Sequence, residues 1–177
     1  MAHSVKTKIA LASSIKQLMQ EKAFEKISIT DICDGCNMSR KSFYYHFKDK
    51  YDLVNWIFHT EFIEAVKNKQ YDEDVEAILD MCRYLYANKA FYKKALNIKG
   101  QNSFSDYFEQ LLFTAIHEQL NGLLHVEMIS DFPANFFTDA FVMAFRRWIM
   151  EYNDMGPEQF LEQLKICIKY IAVNYDD

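Results

Sequence analysis

Residues 39–50 read SRKSFYYHFKDK, and how this stretch is read decides the fold. Arg40, Lys41, His46, Lys48 and Lys50 crowd around Phe43, Tyr44, Tyr45 and Phe47, in a chain of formal net charge −5. A buried helix disfavours that many cations, and a solvated face has no need of two adjacent tyrosines. The pattern asks for a partner that is negatively charged and in close contact. Charge along the chain agrees. Residues 1–50 carry nine Lys or Arg against five Asp or Glu, whereas residues 51–177 carry eleven against twenty. An anion-binding end is joined to an acidic remainder.

The punctuation on either side of the stretch is that of a helix-turn-helix. Upstream, Ser28-Ile29-Thr30-Asp31 has the form of a capping box, with Ser28 as N-cap and Asp31 three residues on. It opens a short helix running to about Gly35 that buries Ile29, Ile32 and Cys33. Cys36-Asn37-Met38 is too short for a loop and suits a tight turn, where Asn tolerates the left-handed conformation. Ser39 then caps a second helix whose inner side is Phe43 and Phe47. Lys48 closes that helix, and Asp49 caps the next.

Helical periodicity extends in both directions. Residues 5–22 place Ile9, Ala12, Ile15, Leu18 and Met19 on one face. A long helix from 50 to about 70 is apolar on more than one side, which predicts burial between two layers. Further helices are predicted over 73–97, 103–122, 133–153 and 157–174, with Met155-Gly156-Pro157 as a stop and restart. The chain has 4 Gly and 2 Pro with half its residues apolar, which favours long helices over an all-β sandwich. The expected fold class is all-α: a three-helix head over 1–48, a connector helix to about 70, and a helical regulatory and dimerisation domain over 71–177. The last two helices carry apolar residues on two faces. Phe137, Phe141 and Phe145 on one, and Phe160, Leu164, Ile168 and Ile171 on the other, are the expected interface of a homodimer closed by a four-helix bundle.

No apolar run approaches the ~20 residues of a membrane span, and the N-terminus lacks a signal-peptide core, so a cytoplasmic protein without membrane contact is expected. Cys33 and Cys36 form a CxxC, but no second pair of ligands follows at zinc spacing. They read as small packing residues, and no metal or other cofactor is expected. His59, His117 and His125 are scattered without ligand spacing. No nucleophile elbow, P-loop, HExxH or glycine-rich dinucleotide turn is present, so no catalytic residue is assigned.

The stretch ISITDICDGCNMSRKSFYYHFKDKYDLV resembles the DNA-binding signature of the TetR/AcrR family of bacterial regulators. Ser28 stands at that family's capping Thr or Ser, Cys36-Asn37-Met38-Ser39 at its turn, and Phe43-Tyr44-Tyr45-His46-Phe47 with Lys50 at its aromatic helix and following Lys. Asn37 replaces the usual turn Gly. Farther on, FYKKALNIKGQNSFSDYF and a late FRRWI resemble the subgroup that includes the dihydroxyacetone-kinase regulators, through Gly100, Ser103, Phe104, Tyr107 and Trp148.

A recognition helix presents its N-terminal side chains to base edges in the major groove. Arg40 and Lys41 follow the cap and suit guanine, and Tyr45 suits a base or a thymine methyl. Ser42 is small enough for close approach to the backbone. His46, Lys48, Lys50 and Ser28 are expected at phosphates, and the resemblance adds the Tyr44 hydroxyl. An N-terminal arm with His3, Lys6 and Lys8 is a further expected DNA contact. The resemblance also implies an effector pocket in the middle helices, for which Trp56, Tyr84, Phe91, Phe104, Tyr107, Phe108 and Trp148 are the expected lining. The functional expectation is a homodimeric regulator of the repressor kind on a palindromic double-stranded operator, tuned by a small molecule or a protein co-regulator. The alternative is an adaptor that works mainly through protein contact with weak non-specific DNA binding.

Overall fold

The computed structural model describes residues 2–67, 69–71, 74–124 and 130–173, and all regular elements among them are helical. Helix α1 spans Ala2–Glu21, followed by a single 3-10 turn at Phe24–Lys26. Helices α2 (Ile29–Asp34), α3 (Arg40–His46) and α4 (Lys50–Phe58) complete the head and lead out of it. A π-helical turn, His59–Ile63, continues α4 into a short α5 at Glu64–Val66. The body comprises α6 (Asp74–Ala87), α7 (Lys89–Ala95), α8 (Phe104–Leu124), α9 (Phe132–Glu151) and α10 (Pro157–Val173). Helices α8 and α9 lie against each other, and α10 packs on α6.

Three boundaries depart from the periodicity. The segment 73–97, expected as one helix, is two. Asn88 takes φ −107° and ψ 23°, its side-chain amide donates to Tyr84 O at 2.9 Å, and its carbonyl accepts from Phe91 and Tyr92 amides at 3.0 and 3.1 Å. One residue thus closes α6 and opens α7 without Gly or Pro. The connector is interrupted by its π turn, a feature with no composition signature. Residues 3–8 belong to α1 instead of forming a free arm. On α1 itself Ile9 is half exposed, and the buried face is Thr7, Leu11, Ala12, Ser14, Ile15 and Met19.

Head and body share one continuous core running from Leu11 to Leu164. Its centre is Phe58, fully buried at the end of α4. The ring lies 5.3–6.3 Å from those of Phe62, Tyr84, Tyr92, Phe104, Tyr107 and Phe108, mostly edge-to-face. This packing corrects the expected effector lining. Tyr84, Phe104 and Phe108 close on Phe58 of the connector, and Phe91 is buried against Tyr92 with Lys16 over its ring, so all four are core. Trp148 is fully buried, stacked 4.3 Å from Phe160 with its indole N–H donating to Met155 O. Trp56 sits in the head against Phe47, at 5.6 Å. Only Tyr107 of that set lines one of the surface hollows described below.

Three residues of the expected dimer face are corrected in the same way. Phe145, Phe160 and Leu164 are buried within the protomer: Phe145 meets Phe108 of α8, and Phe160 packs on Phe145 and Trp148 of α9. Phe137 and Phe141 are half-buried and Ile168 is exposed, while the side chain of Ile171 lies outside the described residues. Ile168 apart, the apolar residues left open lie off the predicted stripe: Phe132, Phe136 and Met143 on α9, and Ile166 and Tyr170 on α10.

Truncating Phe58 removes the shared wall of six ring contacts, so Phe58→Ala is expected to cost ~3–5 kcal/mol in urea unfolding of the purified protein. A loss below about 1 kcal/mol would show that the aromatic cluster does not hold the body to the connector.

Candidate nucleic-acid interface

The α2–turn–α3 unit is built from caps that close on themselves. Ser28 Oγ accepts from the Asp31 amide at 3.0 Å while Asp31 Oδ2 accepts from the Ser28 amide at 2.8 Å, a complete capping box. Lys22 also pairs with Asp31, at 2.9 Å. Hydrogen bonding to the Ser28 amide, with Lys22 and the Ser28 hydroxyl adding to it, lowers the Asp31 carboxyl from 3.8 to about 2. In the turn Asn37 adopts φ 54°, and the Met38 amide donates to Cys33 O at 2.9 Å. Gly35 is required by proximity, since a Cβ there would lie 2.4 Å from Ser14 Oγ. That hydroxyl donates to Ile32 O at 2.8 Å, tying α1 to α2 across the crossing. Cys33 is buried and Cys36 partly so, and burial raises both thiols above the usual range.

Ser39 Oγ accepts from the Ser42 amide at 3.1 Å and starts α3. Phe43 is fully buried and Phe47 nearly so, which points the opposite side of the helix outward. Arg40, Lys41 and Lys48 are exposed, and Ser42 is partly exposed. Tyr45 is 83 % exposed and Tyr44 53 %, so both hydroxyls stand clear of the core. His46 packs edge-on to Tyr45 at 4.9 Å. Partial burial, then Lys8, hold its imidazole below its ordinary range. Lys8 lies 5.7 and 5.6 Å over the Phe47 and Trp56 rings, on the flank of the same surface.

Lys50 is the exception among the expected contacts. Its Nζ donates to Phe24 O at 2.7 Å, Ile27 O at 2.8 Å and Glu25 O at 3.3 Å, and lies 4.4 Å over the Phe24 ring. Three donors meet three carbonyls, so the ammonium staples the 3-10 turn to α4 and is not free to clamp a phosphate. Desolvation lowers its pKa accordingly. The sequence hid this because the acceptors are backbone atoms some 25 residues away. Ser28, likewise, has its oxygen committed as a cap, although its O–H remains a donor.

Two outcomes are expected. Lys50→Met leaves three carbonyls without their donor and should lower stability by ~1–3 kcal/mol, with any loss of duplex affinity following the loss of fold. An undiminished midpoint in denaturant would refute the staple. For Asp31 the folded pKa lies below the unfolded one, so its contribution is fully present above 3.8 and is lost as pH falls toward about 2. Asp31→Asn should therefore unfold with a flatter pH dependence across that interval, and an identical acid-unfolding curve would remove the capping box from the account.

Residues 12–57 match the family described as bacterial regulatory proteins, tetR family, and residues 72–170 match a transcriptional regulator C-terminal region. A curated relative from Lactococcus lactis subsp. lactis (strain IL1403), the HTH-type dhaKLM operon transcriptional activator DhaS, is 33 % identical over 124 residues. The match takes in 67 % of this chain and 65 % of the relative. Among solved structures, the dihydroxyacetone kinase operon activator DhaS superposes with TM-score 0.68 at 24 % identity, over 96 % of this chain and 98 % of that one. A TetR transcriptional regulator from Streptococcus agalactiae gives TM-score 0.70 at 21 % identity, over 92 % and 93 %. These two show the shared fold. The head and body matched together establish that this chain belongs to the TetR family of bacterial transcriptional regulators.

Proposed function

We propose that the chain acts in the cytoplasm as a homodimer that binds a palindromic DNA operator through α3. The observation that carries this reading is the division of that helix into two sides. Phe43 and Phe47 are locked into the core, while Arg40, Lys41, Tyr44 and Tyr45 face outward. Arg40 and Lys41, on the first turn, are the base readers, with Tyr45 beside them. Tyr44, Ser42, His46, Lys48 and the Ser28 hydroxyl take the backbone, joined by Lys8, which stands on the same flank. Lys50 is withdrawn from this set.

The second half of the proposal is the dimer. The open stripe Phe132, Phe136 and Met143 on α9 lies on one helical face, and α10 adds Ile166 and Tyr170. Two copies pairing these helices as a four-helix bundle would cover both rows. The Lactococcus relative's name as an operon activator favours activation over the repression expected from the sequence. Control by a small molecule or a co-regulator then works by linkage: whatever favours the head spacing that fits the operator strengthens binding.

Selection of bound duplexes from a randomised pool at moderate salt tests the reading. The parent should return a palindrome whose half-sites are separated by whole helical turns. Arg40→Ala should relax one position in each half-site at a cost of ~1–3 kcal/mol. Lys48→Ala should weaken all duplexes alike and reduce the salt slope by about one. Recovery of no consensus, with affinity vanishing as salt rises, would return the chain to the adaptor alternative.

A further inference from the structure

Two hollows adjoin on the outside of α8 and share Gln110 as a common wall. The larger, about 470 Å³, is bounded by Asn55 of α4, Gln101 and Asn102 of the α7–α8 loop, and Asp106 and Tyr107 of α8. The smaller, about 310 Å³, lies between α8 and α9 and reaches Asn135 and Thr138. Asp106, Gln110 and Thr114 recur every four residues, so they form one ridge about 12 Å long joining the two.

Each end of this groove holds a buried polar atom without a partner. Asn55 donates through Nδ2 to Asn102 O at 3.2 Å, which fixes the orientation of the amide, and its Oδ1 is enclosed with no donor. Thr138 is 2 % exposed, and its hydroxyl also lacks a partner. Buried polar atoms are nearly always hydrogen-bonded in folded proteins, and an exception calls for an explanation. Two exceptions at opposite ends of one groove have a common explanation if the groove is made to be filled.

The lining defines what fills it. It offers carboxamides, the carboxylates of Asp106 and Glu109, and the hydroxyls of Tyr107 and Thr138, with Phe113 as the apolar floor. No Lys, Arg or His is among these residues, so an anion would meet two carboxylates and no countercharge. Donor-rich, uncharged chemistry fits. We propose that this groove binds an uncharged, polyhydroxylated small molecule of sugar or sugar-alcohol size, whose hydroxyls complete Asn55 at one end and Thr138 at the other.

The groove is placed to influence the head. Asn55 lies on α4 next to Trp56, which packs on Phe47 of the recognition unit, and three residues before Phe58 at the centre of the body. The loop that forms the other wall leans on the same helix: the Tyr51 hydroxyl donates to Lys99 O at 3.5 Å, and Asn102 holds φ 61°. A ligand clamped between Asn55 and this loop would bias the connector. The regulatory consequence rests on the function proposed above, but the binding site does not.

The test is titration of the full-length protein with a panel running from glycerol through sugar alcohols to a disaccharide at millimolar concentration, with inorganic phosphate and acetate as charged controls. The side-chain amide signals of Asn55 and Gln110 are followed by nuclear magnetic resonance. At least one panel member should shift both signals saturably, while phosphate and acetate shift neither. Thr138→Val, almost isosteric, should weaken that member roughly fivefold. Without ligand it should unfold at a higher temperature than the parent, since valine has no hydroxyl to leave unpaired. Asn55→Leu should abolish binding. The proposal is overturned if no member saturates, if phosphate gives the larger shift, or if Thr138→Val binds as tightly as the parent and melts lower. A linear response shared by parent and variants would indicate only non-specific solvation and overturns it equally. Duplex selection run in parallel separates the two readings: polyol binding without operator selection would sink the regulator, and the reverse would sink the groove.

Discussion

The structure depends on one ring. Phe58 stands where the connector leaves the head, and the six aromatic rings around it come from the connector itself, α6, α7 and α8. Each such contact adds about 0.5–1.5 kcal/mol beyond the area it buries. Surface ion pairs contribute less. The Lys16–Glu61 pair, for instance, links α1 to the connector at 2.6 Å but is partly exposed, with carboxylate and ammonium 38 % and 25 % accessible, and exposed pairs contribute only about 0–1 kcal/mol. Head and body are therefore joined by packing, and the polar contacts at the seam set orientation.

A hydrogen-bonded chain supplies that orientation. Glu61 accepts from Lys16 and from the Tyr84 hydroxyl at 3.0 Å, and Tyr84 meets Tyr92 at 2.8 Å. Burial drives both phenols well above their ordinary range, so neither ionises and both remain available as donors. His59, at the start of the π turn, bonds Tyr107 at 3.1 Å on the other side of the connector. The π turn is thus gripped from two directions by side chains belonging to the body.

What the sequence discloses follows from the range of each interaction. The capping box at Ser28 and Asp31, the Asn37 turn, and the caps at Ser39 and Asp49 act within four residues, and all were legible. The division of α3 into Phe43/Phe47 and Arg40/Lys41/Tyr44/Tyr45 was legible for the same reason. Lys50 was misread because its partners are carbonyls of a turn about 25 positions earlier. The aromatic residues of the body could be seen as a population, but whether rings enclose a cavity or close on one another depends on where α4, α7 and α8 meet. Of the expected dimer stripe, Phe145, Phe160 and Leu164 are taken up by the protomer's own core. Helices apolar on two faces declare that something covers each face, without saying which face the protomer takes for itself. Asn88 ended a helix by hydrogen bonding in both directions, where Gly or Pro would have been the expected signal.

Gly35 has a mechanical consequence. With Ser14 Oγ 2.4 Å from where its β-carbon would be, α1 and α2 touch with no slack between them, and α3 is joined to α2 by five residues. The head is a single stiff part. A part this stiff does not adjust by flexing internally, so any change in its position relative to the body has to come from the shaft on which it is carried. Among the described residues, that shaft contains the π turn His59–Ile63, whose hydrogen bonds reach one residue farther than those of an α-helix.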